Sequence, residues 1–323
     1  MYPSLVVARH ESPAEPYSIR VAEHHRDRAL RWCTPVRALA FDETPGAPWV
    51  WLPPVARDGF ERVRKLGVAL GEHPGLRPRL GVKCGCNDAF VVRRLADGTV
   101  LGCGARRGSI EPALLRPLLR GEDVTAWKIE EPDLGIVFAH DESLKPLREL
   151  PPLTRRWLLP WRSRLAARTD LRGRTPWWSV FRVDAADPAS ARVVWADVAR
   201  TLRAAVIRAG DNVVPLNSCY VIATRTQDEA CALAAWLNSP LAAAWLAALA
   251  EPARGGYRRM LGWTVALLPL PRDWDRAVQL LTPLGANAFD GNPPSPSDLL
   301  ERCLEALGAT HHQVEALLTW GHR

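Results

Sequence analysis

A few short stretches of this 323-residue chain hold residue types that could do chemistry. Val100-Leu101-Gly102-Cys103-Gly104-Ala105-Arg106-Arg107-Gly108 is glycine-rich, and glycines after a strand let backbone approach a bound cofactor. No acidic residue precedes these glycines and no strand–helix–strand unit surrounds them, so the segment reads as a hairpin and loop leading to Ser109. Gly291-Asn292-Pro293-Pro294-Ser295 has the first letters of the Asn-Pro-Pro-aromatic motif of amino-methyltransferases. Ser295 stands where the aromatic would be, and the flanks are Gly, Pro and Ser, so it reads as a linker between terminal helices. Cys84-Gly85-Cys86 has one intervening residue, too few for a zinc knuckle, and the 7 Cys show no second matched pair. His24-His25 and His311-His312 sit in polar contexts that predict solvated helical positions rather than metal ligands.

The richest stretch is basic. Arg155, Arg156, Arg162, Arg164, Arg168, Arg172, Arg174 and Arg182 share residues 155–182 with a single acid, Asp170. Trp157, Trp161, Trp177 and Trp178 are interleaved. Arginines supply sequence-independent affinity for phosphates, and aromatics can stack on or wedge beside bases. The competing reading is a solvated basic face. Lys83 lies among Gly81, Gly85 and Asn87, residues that let backbone pass close to a phosphate or to another part of the chain. Arg120 can reach a groove or pair internally with Asp123.

The elements that would position these residues follow from hydrophobic period and turn chemistry. Residues 4–9 and 17–22 read as paired strands, and residues 57–72 as a helix with Phe60, Val63, Leu66 and Leu70 on one stripe. Residues 80–92 read as strand, tight turn, strand, with another hairpin turn at Ala96-Asp97-Gly98-Thr99. Ser109 is a candidate N-cap for a helix to about Leu119, closed by Gly121. Residues 134–139 predict a buried strand, 154–168 a basic helix or helix pair, and 177–182, 192–196, 204–208 and 213–223 strands. Thr226 caps a helix carrying Asp228 and Glu229 in its first turn, and Pro240 ends or kinks it. A strand at 262–268 ends in Leu268-Pro269-Leu270-Pro271, and helices at 274–284, 297–307 and 310–320 follow. The alternation is irregular, so the fold class is α+β: a mixed sheet with a helical C-terminal segment.

Composition frames this. Hydrophobic residues make up 47% and charged residues 24%, which is ordinary for a globular protein. Lys and Arg total 42, yet the lysines are only Lys65, Lys83, Lys128 and Lys145. GC-rich coding accounts for most of that swap. The net charge of +7 suits a polyanionic partner. No secretory leader opens the chain, and Asn238-Ser239-Pro240 breaks its most apolar stretch, residues 230–250, so a cytoplasmic protein with reduced thiols and no membrane partner is expected.

Several segments together resemble the C-terminal target-recognition part of adenine-N6 DNA methyltransferases of restriction and phage-defence systems. That group includes the TaqI-like specificity domain, fused restriction–methylation enzymes and the BREX methyltransferase PglX. Gly81-Val82-Lys83-Cys84-Gly85-Cys86-Asn87-Asp88-Ala89-Phe90 resembles the family's Gly-Ile-Lys-Thr-Gly-x-Asn-x-Ala-Phe, with Cys84 in place of Thr. Leu115-Arg116-Pro117-Leu118-Leu119-Arg120-Gly121-Glu122-Asp123-Val124 resembles the family's Pro-x-Leu-Arg-Gly-x-Asp-Ile helix end, Leu233 to Leu241 its Leu-Asn-Ser helix, and Arg258-Arg259 and Leu268-Pro269-Leu270-Pro271 its closing segment, all in the family's order. The likeness covers roughly residues 56–272, and Tyr2 to Arg9 resembles the last strand pair of the family's catalytic domain.

The resemblance implies a DNA-binding specificity subunit or fragment that reads a short duplex site for a separate methyltransferase polypeptide. It implies a remnant or docking tail at 1–55, a target-recognition domain at 56–272 and terminal helices at 273–323. No catalytic residue, metal or cofactor is expected on this chain, and S-adenosylmethionine is expected on the partner. The residues expected at DNA are Lys83, Asn87, Arg120, Arg155, Arg156, Arg162, Arg174, Trp178, Arg258 and Arg259. The alternatives are a non-catalytic scaffold derived from a specificity domain, and a gene fragment.

Overall fold

The structure is a computed structural model that describes residues 18–25, 28–171 and 175–321. Its class is α+β, as the irregular alternation predicts. A six-stranded sheet runs in the order Val214–Pro215, Leu115–Leu119, Leu134–Val137, Val91–Arg94, Val100–Leu101, Arg107–Gly108. Its first pair is parallel and the others are antiparallel. A four-stranded antiparallel sheet runs Ala204–Ile207, Arg192–Ala196, Cys219–Ala223, Arg79–Leu80.

Strand Arg192–Ala196 is buried on both faces. Val193 and Trp195 enter a core shared with the helices, while Val194 joins a smaller cluster with Leu119, Ile207 and Val221. That alternation is the period-2 signature of a central strand. The helical core takes Phe41, Val50 and Leu52 from before residue 55, helices Pro54–Leu66, Gln227–Leu237 and Pro240–Leu249, and, from after 272, helices Trp274–Phe289, Pro296–Leu307 and His311–Gly321. A second core, around Phe90, Leu118, Ile136 and Trp157, underlies the six-stranded sheet.

Helix caps follow the sequence. Thr226 Oγ1 accepts from Glu229 N at 3.1 Å, and Ser239 Oγ from Ala242 N at 3.1 Å, so Pro240 opens a new helix. The two helices meet at 63°, and most of their residues are buried in the core. No single helix among the described residues is long and apolar enough to cross a membrane.

Several expectations are corrected. Residues 4–9 lie outside the described residues. Strand Ser18–His25 pairs with Arg28–Pro35, which puts His24 and His25 in a strand rather than a helix. The helix from 57 stops at Leu66, because Gly67–Ala69 pairs with Pro269–Pro271. Residues 109–119 are not helical. After a 3-10 turn at Pro112–Leu114, the strand Leu115–Leu119 sends Leu118 to one core and Leu119 to another. Residues 80–92 are a crossover, not a hairpin, with Arg79–Leu80 in one sheet and Val91–Arg94 in the other. Only Phe181 of 177–182 forms a bridge, to Lys83. Residues Gly262–Ala266 form a short helix, and the strand begins later, at Pro269, where it pairs with Gly67–Ala69.

Candidate nucleic-acid interface

The basic stretch folds as helix Pro152–Leu158, a 3-10 turn Leu159–Trp161 and helix Arg162–Ala166. Thr154, Trp157, Leu158 and Leu165 point inward and are buried. Trp157 is the anchor. Its Nε1 donates to Ala89 O at 2.9 Å, and Arg106 lies over its ring at 4.4 Å.

The glycines at 102 and 108 make room for it. A Cβ on Gly102 would sit 2.7 Å from the Trp157 ring, and one on Gly108 would sit 2.8 Å from it. The close approach that these two glycines allow is to the Trp157 ring. The 100–108 segment is a hairpin, Val100–Leu101 with Arg107–Gly108, as the sequence predicts. Residues 292–294 likewise lie between helices Trp274–Phe289 and Pro296–Leu307, and Ser295 caps the second. Among the described residues no group of three or more His, Cys, Asp or Glu could hold a metal.

Glu111 closes the helix from across 42 residues. Its carboxylate accepts from Leu153 N and Thr154 N, each at 2.8 Å, and from Thr154 Oγ1. Burial resists ionisation of Glu111, but these donors outweigh it and hold the carboxyl below its ordinary value. An anion at the helix N-terminus is also favoured by the peptide dipoles. Sequence reading missed Glu111, because its partners are distant in the chain.

Arg155, Arg156 and Arg162 project from the outer face, and none makes an ion pair among the described residues. Their neighbours differ. Arg164 pairs with Asp88 at 3.1 Å. Arg168 turns inward as a clasp: it donates to Leu165 O, Cys84 O, Trp177 O and Ser179 O, and stacks over Phe90 and Phe181. Burial lowers its pKa. Trp178 is half-buried, with Nε1 donating to Leu147 O at 3.2 Å and its ring edge-on to Trp177. Arg174 lies outside the described residues.

The Gly81–Phe90 segment lies beside this helix pair. Lys83 Nζ pairs with Asp170 at 2.7 Å, both half-exposed. Asn87 is exposed, and its Oδ1 accepts from the Cys84 thiol. Asn87, Asp88, Arg93 and Cys103 line a shallow cleft of about 400 Å³. The glycines serve internal approach: Gly81 lies against Leu216, where a Cβ would be 2.2 Å from its carbonyl oxygen, and Gly85 has φ +66 beside Arg168.

The remaining expected residues sit elsewhere. Arg120 pairs with Glu122 at 2.5 Å and, through Nε, with Asp123 at 3.8 Å, the internal option. Arg258 and Arg259 form the middle of a small three-stranded sheet. Arg258 donates to Ala250 O at 3.1 Å, while Arg259 is exposed. Asn238, from the Leu-Asn-Ser segment, uses its amide to pair with both backbone polar groups of Ala204 at 2.9 Å each.

The chain is similar in fold to part of the Type IIL restriction–modification enzyme MmeI. The match has a TM-score of 0.51 at 10% identity, and it covers 94% of this chain and 39% of MmeI, whose structure was solved with DNA. A match to the type IIG restriction endonuclease BpuSI has a TM-score of 0.46 at 11% identity, covering 91% of this chain and 37% of BpuSI. This chain therefore spans under two fifths of the length of either enzyme. No protein-family model and no curated protein matches the sequence.

Proposed function

We propose that this chain reads a short duplex DNA site on behalf of an adenine-N6 methyltransferase in a restriction–modification or phage-defence system. The observation that carries the reading is the outer face of the 152–166 helix pair. Arg155, Arg156 and Arg162 stand there without ion pairs among the described residues, and no acid occurs between Glu149 and Asp170. Unpaired arginines on a rigid helix are suited to phosphate binding, since no internal carboxylate competes for them. The sequence resemblance and the fold shared with part of a restriction–modification enzyme support the same reading.

On this reading the methyl transfer and S-adenosylmethionine belong to a separate catalytic polypeptide. The docking surface on it comes from the part of residues 1–55 that precedes Phe41, since Phe41, Val50 and Leu52 are packed in this chain's own core. An electrophoretic shift with duplex DNA at low salt, with and without that polypeptide, tests the proposal. A shift that the triple variant Arg155→Ala/Arg156→Ala/Arg162→Ala loses is the expected result. No shift in either case overturns it.

A scaffold reading has one observation in its favour: Lys83, Arg164 and Arg120 are each engaged by a carboxylate. Normal complex assembly by a chain that binds no duplex would favour it.

A further inference from the structure

The same outer face carries apolar residues that neither the fold nor phosphate binding uses. Leu159 is 47% exposed and Leu153 is 39% exposed, among the most exposed large hydrophobic residues of the molecule. Pro160 beside them is also exposed. Arg155 lies on the helix before the 3-10 turn Leu159–Trp161 and Arg162 on the helix after it, so exposed cations precede and follow Leu159. Leu153, Arg156 and Pro160 are exposed along the same stretch. An apolar tip is thus framed by cations on both sides.

The tip is rigidly mounted. Glu111 holds the helix start, and Trp157 is buried against Ala89 and the 100–108 hairpin just before Leu159. Leu158 and Leu165 are fully buried beneath it. Leucine and proline are side chains that proteins insert between base steps in a minor groove. The insertion unstacks a step, and flanking arginines gain phosphates as the duplex bends toward them.

We infer that Leu159 and Pro160 form a wedge that enters the minor groove and kinks the duplex, with Arg155, Arg156 and Arg162 clamping the phosphates on either side. This rests on the DNA reading above. It adds that part of the site's sequence preference is read through deformability, with flexible pyrimidine–purine steps favoured at the wedge.

Energy transfer across a doubly end-labelled duplex of about 30 base pairs tests the wedge. The intact chain should bend the duplex by roughly 20–90°. Leu159→Ala should remove most of the bend and lower the slope of log K against log salt by less than the loss of all three arginines does, because those arginines still neutralise phosphates of an unbent duplex. Leu159→Phe should keep the bend. Arg155→Ala/Arg156→Ala/Arg162→Ala should instead flatten the salt slope, by about 0.9 for each phosphate that is no longer neutralised. Leu159 is half-exposed, and matching circular dichroism spectra would show that its variants fold.

A chain that binds duplex without bending it, or a Leu159→Ala variant that bends it equally, overturns the wedge and leaves the DNA reading standing. No binding of duplex at low salt overturns both. Binding to anionic phosphatidylserine vesicles that Leu159→Ala abolishes, with duplex left straight, would assign the face to a lipid surface and also overturn the wedge.

Discussion

The carboxylate of Glu111 closes the N-terminus of the helix that begins two residues before Thr154, accepting from Thr154 N at 2.8 Å and from its hydroxyl. The helix that carries Arg155 and Arg156 is thereby tied to the segment that leads into the six-stranded sheet. An arginine face on a helix that is already held in place loses less conformational entropy on binding a polyanion, and this contact holds the helix start.

Glu111→Ala removes the cap and leaves the N–H groups of Leu153 and Thr154 without their acceptor. The expected cost is about 1–2 kcal/mol, read from urea denaturation. Duplex affinity should fall with it, although no DNA-facing side chain has changed. A variant as stable as the parent would remove Glu111 from this role.

Stability should fall on the acid side. Burial resists ionisation of both Glu111 and Glu229, but their donors prevail: Thr154 and Leu153 at Glu111, and Arg225 and Trp274 at Glu229. Both carboxyls therefore ionise below the ordinary value of 4.5. A depressed folded pKa means that the ionised form stabilises the fold. That contribution is complete above the unfolded value and is lost as pH falls through the folded one. The melting temperature should hold between about pH 7 and 5 and drop below about pH 4. The double variant Glu111→Gln/Glu229→Gln should lose part of that acid slope, and an unchanged slope would assign it to other groups.

Lys83 is engaged by Asp170 at 2.7 Å in a half-exposed pair, so the pair contributes little to stability, about 0–1 kcal/mol. Asp170→Asn should leave the melting temperature nearly unchanged and raise duplex affinity at low salt, because Lys83 becomes available to a phosphate. If Lys83→Ala binds DNA as well as the parent, Lys83 is only part of the fold.

Gly102→Ala and Gly108→Ala place a methyl group within 3 Å of the buried Trp157 ring. Each should destabilise by about 1–3 kcal/mol in thermal or urea unfolding. Retained stability would mean that Trp157 can shift, which its hydrogen bond to Ala89 opposes.

Local chemistry made much of the architecture readable. Thr226, Pro240 and the helices after residue 272 were legible because their caps and apolar period lie within one stretch of sequence. The turn at Asp97-Gly98 was legible for the same reason, with Gly98 at φ +79. Leu115–Leu119 was not. Its preceding serine and following glycine suit a helix, but pairing with Leu134–Val137 and two cores on opposite faces decide for a strand.

The site divides in the same way. The sequence by itself determined a cluster of arginines with almost no acid nearby, because charge and spacing are written residue by residue. Only the tertiary structure decided which arginines remain outside. Arg168 is drawn inward to carbonyl oxygens at Leu165, Cys84, Trp177 and Ser179, and Arg164 is drawn to Asp88. Arg155, Arg156 and Arg162 stay exposed because Trp157, Leu158 and Leu165 take the inner face of the same helices. The physical reason is that an arginine's partner is set by what folding brings within about 3 Å of its guanidinium, and sequence spacing does not encode that distance.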